Sequence, residues 1–215
     1  MADIFSEVDE DVRKDKSLAL WKRYGNYVIG AAVLVVVGTA SYVGWQNYTL
    51  SQSASQGAAF QAAAALVAEN KLEEGAASFG TLAEEGNAGY RALAQLREAS
   101  ALVESGNGSE ALEIYNQLAA DSSVDKEFSS LADLLAGYYL LDNGTTEEVR
   151  TKVATIAEAG SIWSASANEL IALSYLQDGE KTKAVEMLTQ LKNDASAPSD
   201  VKTRVEQLLA ALGGE

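Results

Sequence analysis

The side chains available for chemistry in this chain are carboxylates, hydroxyls and amides, because it contains no histidine and no cysteine. That absence removes the Ser-His and Cys-His nucleophile systems and nearly all zinc and haem sites. Adjacent acids occur at Glu73-Glu74, Glu84-Glu85 and Glu147-Glu148, the residue type that ligates metals or moves protons. Each pair sits at the edge of a helical pattern. Two of them open a helix, where an acidic side chain is favoured by the helix dipole. Asp121-Ser-Ser-Val-Asp125 lacks the glycine and closing glutamate of a calcium loop and suits a cap on the helix entering Phe128. Asn47-Tyr-Thr49, Asn107-Gly-Ser109 and Asn143-Gly-Thr145 match the glycosylation triplet. The last two fall at turns, where Asn and Gly tolerate positive φ and Ser or Thr caps the next helix. With no P-loop and no dinucleotide fingerprint, the sequence predicts no enzyme, metal, cofactor or small-molecule substrate.

The elements that carry these residues read as helices throughout. The apolar share is 47%, dominated by Ala, Leu and Val, and Pro198 is the single proline. Net charge is −15 and unevenly placed. Residues 1–23 mix both signs, including Arg13, Lys14, Lys16, Lys22 and Arg23, while residues 24–68 carry no charge. Residues 69–215 hold 11 basic and 25 acidic groups, a balance that repels nucleic acid phosphates. No nucleic acid partner is expected. The absence of cysteine leaves the redox compartment unreadable.

From Tyr27 to Trp45 the chain is uncharged and apolar. As a helix that stretch reaches roughly 28 Å, close to the hydrocarbon thickness of a bilayer. Trp21, Tyr24 and Tyr27 flank one end and Tyr42, Trp45 and Tyr48 the other, as in the aromatic belts of membrane spans. Val28, Leu34, Val37 and Trp45 are therefore anchor residues of a transmembrane helix at 24–48. Lys22 and Arg23 adjoin its N-terminal end, whereas the next basic residue beyond it is Lys71. The positive-inside rule then places a cytoplasmic head at 1–23 and the rest of the chain across the membrane. A long, acidic N-terminal region argues against a cleaved signal peptide. Ala40 and Gly44 are a small pair four apart that admits a close helix neighbour. Ile4, Val8 and Val12, with Phe5, form an apolar stripe on the head, suited to a docking face or to a solvated extension of the span.

After a small, polar juxtamembrane stretch at 49–58, residues 59–215 repeat themselves. Phe79, Tyr115, Val153 and Leu188 occupy one position at shifts of 36, 38 and 35; Leu82, Leu118, Ile156 and Leu191 follow three residues later. Each unit is preceded by a turn: Glu69-Asn70, Ser105-Gly106-Asn107, Asp142-Asn143-Gly144 and Asp178-Gly179. Small residues Ala99, Gly137 and Ala172 lie seven before the last three turn glycines, where helices press together. Pro198-Ser-Asp opens a last helix, Val201–Leu212, that caps the array. Helix pairs of this length bury their apolar stripes only by stacking. The pattern resembles the tetratricopeptide repeat, in a degenerate form: Gly75 stands where alanine is usual. The fold expected is all-α, one transmembrane helix followed by a tetratricopeptide-like solenoid.

Head, Leu20-Trp-Lys-Arg-Tyr-Gly25, span and repeats together resemble the bacterial inner-membrane, tetratricopeptide-like ancillary subunits of the SecYEG translocon, the YfgM-like family. The resemblance implies a periplasmic domain attending exported proteins, with the translocon and a chaperone or prolyl isomerase as partners. A structural accessory subunit of a respiratory or transport complex is the alternative. In tetratricopeptide arrays the first helix of each pair lines the concave side. Tyr90, Arg91, Tyr138, Tyr139 and Trp163 lie on those helices and are candidate lining for a protein-binding groove. Its acidic surroundings favour basic clients.

Overall fold

The computed structural model describes residues 3–158 and 160–213, with side chains from Leu18 onward except that of Ala19. The apolar stripe of Ile4, Phe5, Val8 and Val12 therefore has its side chains outside the described residues. The described residues are helical apart from turns: α1 (Asp3–Ala68), α2 (Leu72–Glu85), α3 (Ala88–Glu104), α4 (Gly108–Ala120), α5 (Lys126–Asn143), α6 (Thr146–Ala157), α7 (Ser164–Gln177), α8 (Lys181–Asn193) and α9 (Ser199–Ala211). They form two compact units, Met1–Ala54 and Ser55–Glu215.

The described residues of the first unit all lie within α1. Residues 49–58 are helical too, continuous with the apolar stretch. This helix is long and apolar enough to cross a bilayer, with a mean hydropathy of 1.9 and no burial in its most apolar window. Val28, Val37 and Trp45 are exposed, and Leu34 is 75% exposed. Ala40 and Gly44 lie one turn apart on open surface, and a Cβ built on Gly44 meets nothing within 4 Å. Lys22 and Arg23 are exposed at the start of the stretch.

The second unit is a stack of helix pairs closed by α9. Its first pair is the end of α1 with α2; α3–α4, α5–α6 and α7–α8 follow. The repeated apolar positions form the core. Phe79, Tyr115, Val153 and Leu188 are all buried, as are Leu82, Leu118, Ile156 and Leu191. Removing such side chains from water, at about 25 cal/mol per Å², is what drives the pairs together.

The turns repeat as well. Asn70, Gly106 and Gly179 adopt left-handed φ of 62°, 88° and 78°. In each case the following amide donates to the carbonyl five residues back: Lys71 to Leu66, Asn107 to Leu102, Glu180 to Tyr175. This is one helix-ending motif used three times. The fourth turn differs. Gly144 has φ −118°, and the next helix starts instead from a capping box in which Thr145 and Glu148 bond reciprocally. Ser109 lies inside α4 and does not cap it. Asp125 occupies the N-cap position of α5 without a side-chain bond, so the capping expected from Asp121–Asp125 is not made in that way. Asp121 accepts instead from the amide and hydroxyl of Ser123, closing the turn before the helix and lowering the pKa of its own carboxyl.

Small residues set the spacing. A Cβ on Gly137 would fall 2.6 Å from Val153 Cγ1 and 2.7 Å from Leu170 Cδ2. Ala99 and Ala172, its counterparts, are fully buried. Gly108 is required for space rather than for φ: the ring of Tyr139 covers it.

Candidate protein-binding face

First helices touch first helices in sequence, α3 with α5, α5 with α7 and α7 with α9, whereas α2, α4, α6 and α8 make no such contacts with one another. The array therefore bends toward the first-helix side, which becomes its inner face. Helix periodicity fixes which residues point there. Glu98 lies against Gly80 of α2, and Asp133 pairs with Lys152 of α6 at 3.5 Å, so both lean toward the second helices. The opposite side of each first helix carries residues seven apart: Leu93 and Ser100 on α3, Leu131 and Tyr138 on α5, Ser166 and Leu173 on α7. All six keep some exposure, and Leu93 is 38% exposed. The result is an inner stripe of leucine, hydroxyl and one tyrosine.

Of the five residues expected to line a groove, Tyr138 lies on this stripe. Burial, and next the carboxylate of Glu169, push its pKa up, so it stays a neutral hydroxyl that can donate or accept. Tyr90 and Trp163 are half-buried at the seams between pairs. Tyr90 packs near Phe60 at 6.4 Å between ring centroids, with its hydroxyl beside Gly57. Trp163 donates its indole N–H to the backbone oxygen of Glu127 at 3.1 Å. Together with Lys126, Glu127, Ser130 and the exposed Ile162 it lines a recess of about 60 Å³. Phe128 stands at the equivalent seam between Trp163 and Tyr90 and lines a matching recess with Ala88, Gly89 and Ala92. Sequence reasoning missed it. The spacing 90, 128, 163, close to the repeat period, was the available signal.

The other two candidates face elsewhere. Tyr139 covers Gly108 of α4, a packing role. Arg91 shares the side of Glu98 and sits close enough to Asp121, at the end of α4, to help lower that carboxyl's pKa. It is exposed on the outer side. Neither belongs to the inner stripe, because a helical residue is aimed by its phase as well as by its helix.

Acidity concentrates on the outer side. α2 and α4 carry Glu73, Glu74, Glu84, Glu85, Glu110 and Glu113 with no Lys or Arg. Glu98, on the floor between them, has its pKa pushed up to about 7 by burial and then by Glu110 and Glu84. Cations concentrate further along. Arg150 bonds Asp178 at 2.7 Å and lies 5.0 Å from the ring centre of Tyr175, joining α6 to α7. None of these clusters provides three acids placed to hold a metal among the described residues.

Stacked antiparallel pairs, a recurrent glycine-type turn, an inner first-helix face and a closing helix define a helical-repeat protein of the protein-binding kind. Residues 19–212 match the family model of the tetratricopeptide repeat-like domain, and the chain belongs to that family. No curated protein and no solved structure matches it.

Proposed function

We propose that the protein is a membrane-anchored periplasmic binding module whose inner stripe holds extended or partly folded polypeptide during export. The observation that carries this reading is the continuous contact of α3, α5 and α7, which presents Leu93, Leu131, Tyr138 and Leu173 along one face. Leucine and tyrosine offer apolar area, while Ser100 and Ser166 let an extended chain approach and satisfy its backbone groups. Tyr90 and Trp163 form rims at the seams. The acidic outer helices raise the local concentration of basic segments.

The exposed apolar part of α1 anchors the chain in the bilayer, with Lys22 and Arg23 holding the N-terminal side in the cytoplasm. The inner-membrane translocon is the site where such a face meets exported chains, and a periplasmic chaperone or isomerase is the co-partner. Extraction in mild detergent followed by mass spectrometry of co-purifying proteins tests the assignment. Recovery of translocon subunits supports it. Stoichiometric recovery of a respiratory or transport complex instead replaces it with an accessory-subunit role.

A further inference from the structure

The two seam recesses are built alike. One lies at the start of α3, where Ala88, Gly89 and Ala92 face Val124, Asp125 and Phe128 at the start of α5. The other lies one pair further on, where Lys126, Glu127 and Ser130 face Ser161, Ile162 and Trp163 at the start of α7. Each measures about 60 Å³, room for a small aliphatic side chain and too little for an aromatic one. The seam before them is closed: Gln56 accepts from the Asn87 amide at 3.3 Å, and the Tyr90 hydroxyl lies over Gly57.

The second recess contains a buried hydroxyl in want of a partner. Ser130 is 6% exposed and lines the recess. Its neighbour Ser129 donates to the Lys126 carbonyl at 3.1 Å. Among the described residues the Ser130 hydroxyl bonds no protein group, and it is not sealed from the outside. A hydroxyl that deep is costly to leave unpaired, and the recess is where a partner can enter. Trp163 is not that partner, because its indole N–H is committed to the Glu127 carbonyl. The same bond holds the ring in place as a wall.

The interval between the recesses selects what can enter both. α3, α5 and α7 touch in sequence, and packed helices lie about 8–10 Å apart. A polyproline II chain presents the same face every third residue, at about 9.3 Å. A β-strand repeats its face at roughly 6.7 and 13 Å, out of step with the recesses. An α-helix comes near at seven residues, about 10.5 Å, but its carbonyls are bonded internally and leave Ser130 without an acceptor. The carbonyls of polyproline II are unpaired.

We propose that the two recesses are paired side-chain sites for a polypeptide in the polyproline II form, with proline or a small aliphatic residue at every third position and a backbone carbonyl on the Ser130 hydroxyl. This rests on the reading of the domain as a polypeptide-binding module and narrows it to one conformation and one spacing. Proline suits the sites because its backbone is already restricted, so little entropy is lost on binding.

The test uses the full chain in detergent micelles and a fluorescent peptide of four Pro-Lys-Pro repeats. A second peptide, with glycine for every proline, carries the same charge. The expected result is saturable binding of the proline peptide, at least about tenfold tighter than the glycine peptide. Gly89→Leu fills the first recess: a Cβ built there meets only Asn87 Oδ1, at 3.7 Å. Ile162→Ser removes a wall of the second, and Ile162 is 64% exposed, so no core is opened. Each should weaken the proline peptide severalfold with the helical spectrum kept, and Ser130→Ala should weaken it about threefold to tenfold. Equal binding of the two peptides, or a preference unchanged by all three substitutions, overturns the recesses. An unfolded basic chain titrated against Leu93→Asp tests the stripe separately. If that chain binds and is weakened by Leu93→Asp while the proline peptide shows no preference, the stripe stands and the recesses fall. If the proline preference holds while that chain ignores Leu93→Asp, the recesses stand and the stripe falls.

Discussion

The indole nitrogen of Trp163 donates to the backbone carbonyl of Glu127 at 3.1 Å, so the start of α7 is fastened to the first turn of α5. At the other end the Gln177 amide donates to the Leu141 carbonyl at 2.9 Å. Two side chains thus set the spacing of two first helices, and with it the width of the inner face.

That fastening separates two roles for one residue. Trp163→Phe keeps an aromatic ring at the seam and removes the N–H, so it should cost about 1 kcal/mol of stability. Trp163→Ala also removes the packed ring and should cost about 2–3 kcal/mol, below the fully buried range because the side chain is half-exposed. Urea unfolding followed by circular dichroism checks both. Equal costs for the two variants would show that the packed ring contributes little, and a Trp163→Phe cost near zero would show the same of the hydrogen bond.

Gly137 gives a prediction of opposite chemistry. Alanine in place of a mid-helix glycine ordinarily gains about 1 kcal/mol. Here the added methyl falls 2.6 Å from Val153 and 2.7 Å from Leu170, both fully buried, and overpacking costs about 1–3 kcal/mol. The net effect of Gly137→Ala should be a loss of about 1 kcal/mol. A melting temperature equal to or above wild type would show that the α5–α6–α7 junction has slack.

The repeats were legible because their cause is periodic. The position of Phe79, Tyr115, Val153 and Leu188 must be apolar in every pair, and Ala99, Gly137 and Ala172 must be small where helices cross. What escaped the sequence has causes that are not local. Glu169 reads as a surface acid until Arg204, 35 residues away, is brought onto it. Gly108 reads as a turn glycine, although its role is to lie under Tyr139. Arg91 and Tyr139 were placed in the groove by the helix that carries them, yet their phase on that helix turns them toward α4.

Glu98 supplies a pH dependence. An unfolded chain releases this proton near pH 4.5, whereas the folded one holds it to about 7 because of burial and the neighbouring Glu110 and Glu84. Between those values the folded state binds more protons, so this group's contribution is fully present below about 4.5 and is lost as pH rises through 7. Glu98 is part-exposed and screened, which limits the effect to about 1 kcal/mol. Glu98→Gln should therefore stabilise the protein by about that amount above pH 8 and leave it unchanged near pH 4. A gain independent of pH would point to packing rather than charge.

Topology is testable on the intact chain. Lys22 and Arg23 without matching charge beyond the apolar stretch predict that protease added to spheroplasts removes the repeat domain and spares the N-terminal head. Protection of the repeat domain would reverse the orientation.

The inner-face account is tested most directly by fluorescence titration of unfolded basic and acidic model chains against the full-length protein in micelles, with Leu93→Asp as the variant. Leu93 is the most exposed leucine of the stripe, so its substitution alters the face without opening the core. The account predicts saturable binding, tighter for the basic chain, weakened severalfold at about 0.5 M salt, where the Debye length is only ~4 Å, and weakened again by Leu93→Asp. Equal binding of the two chains, indifferent to salt and to the substitution, would contradict it.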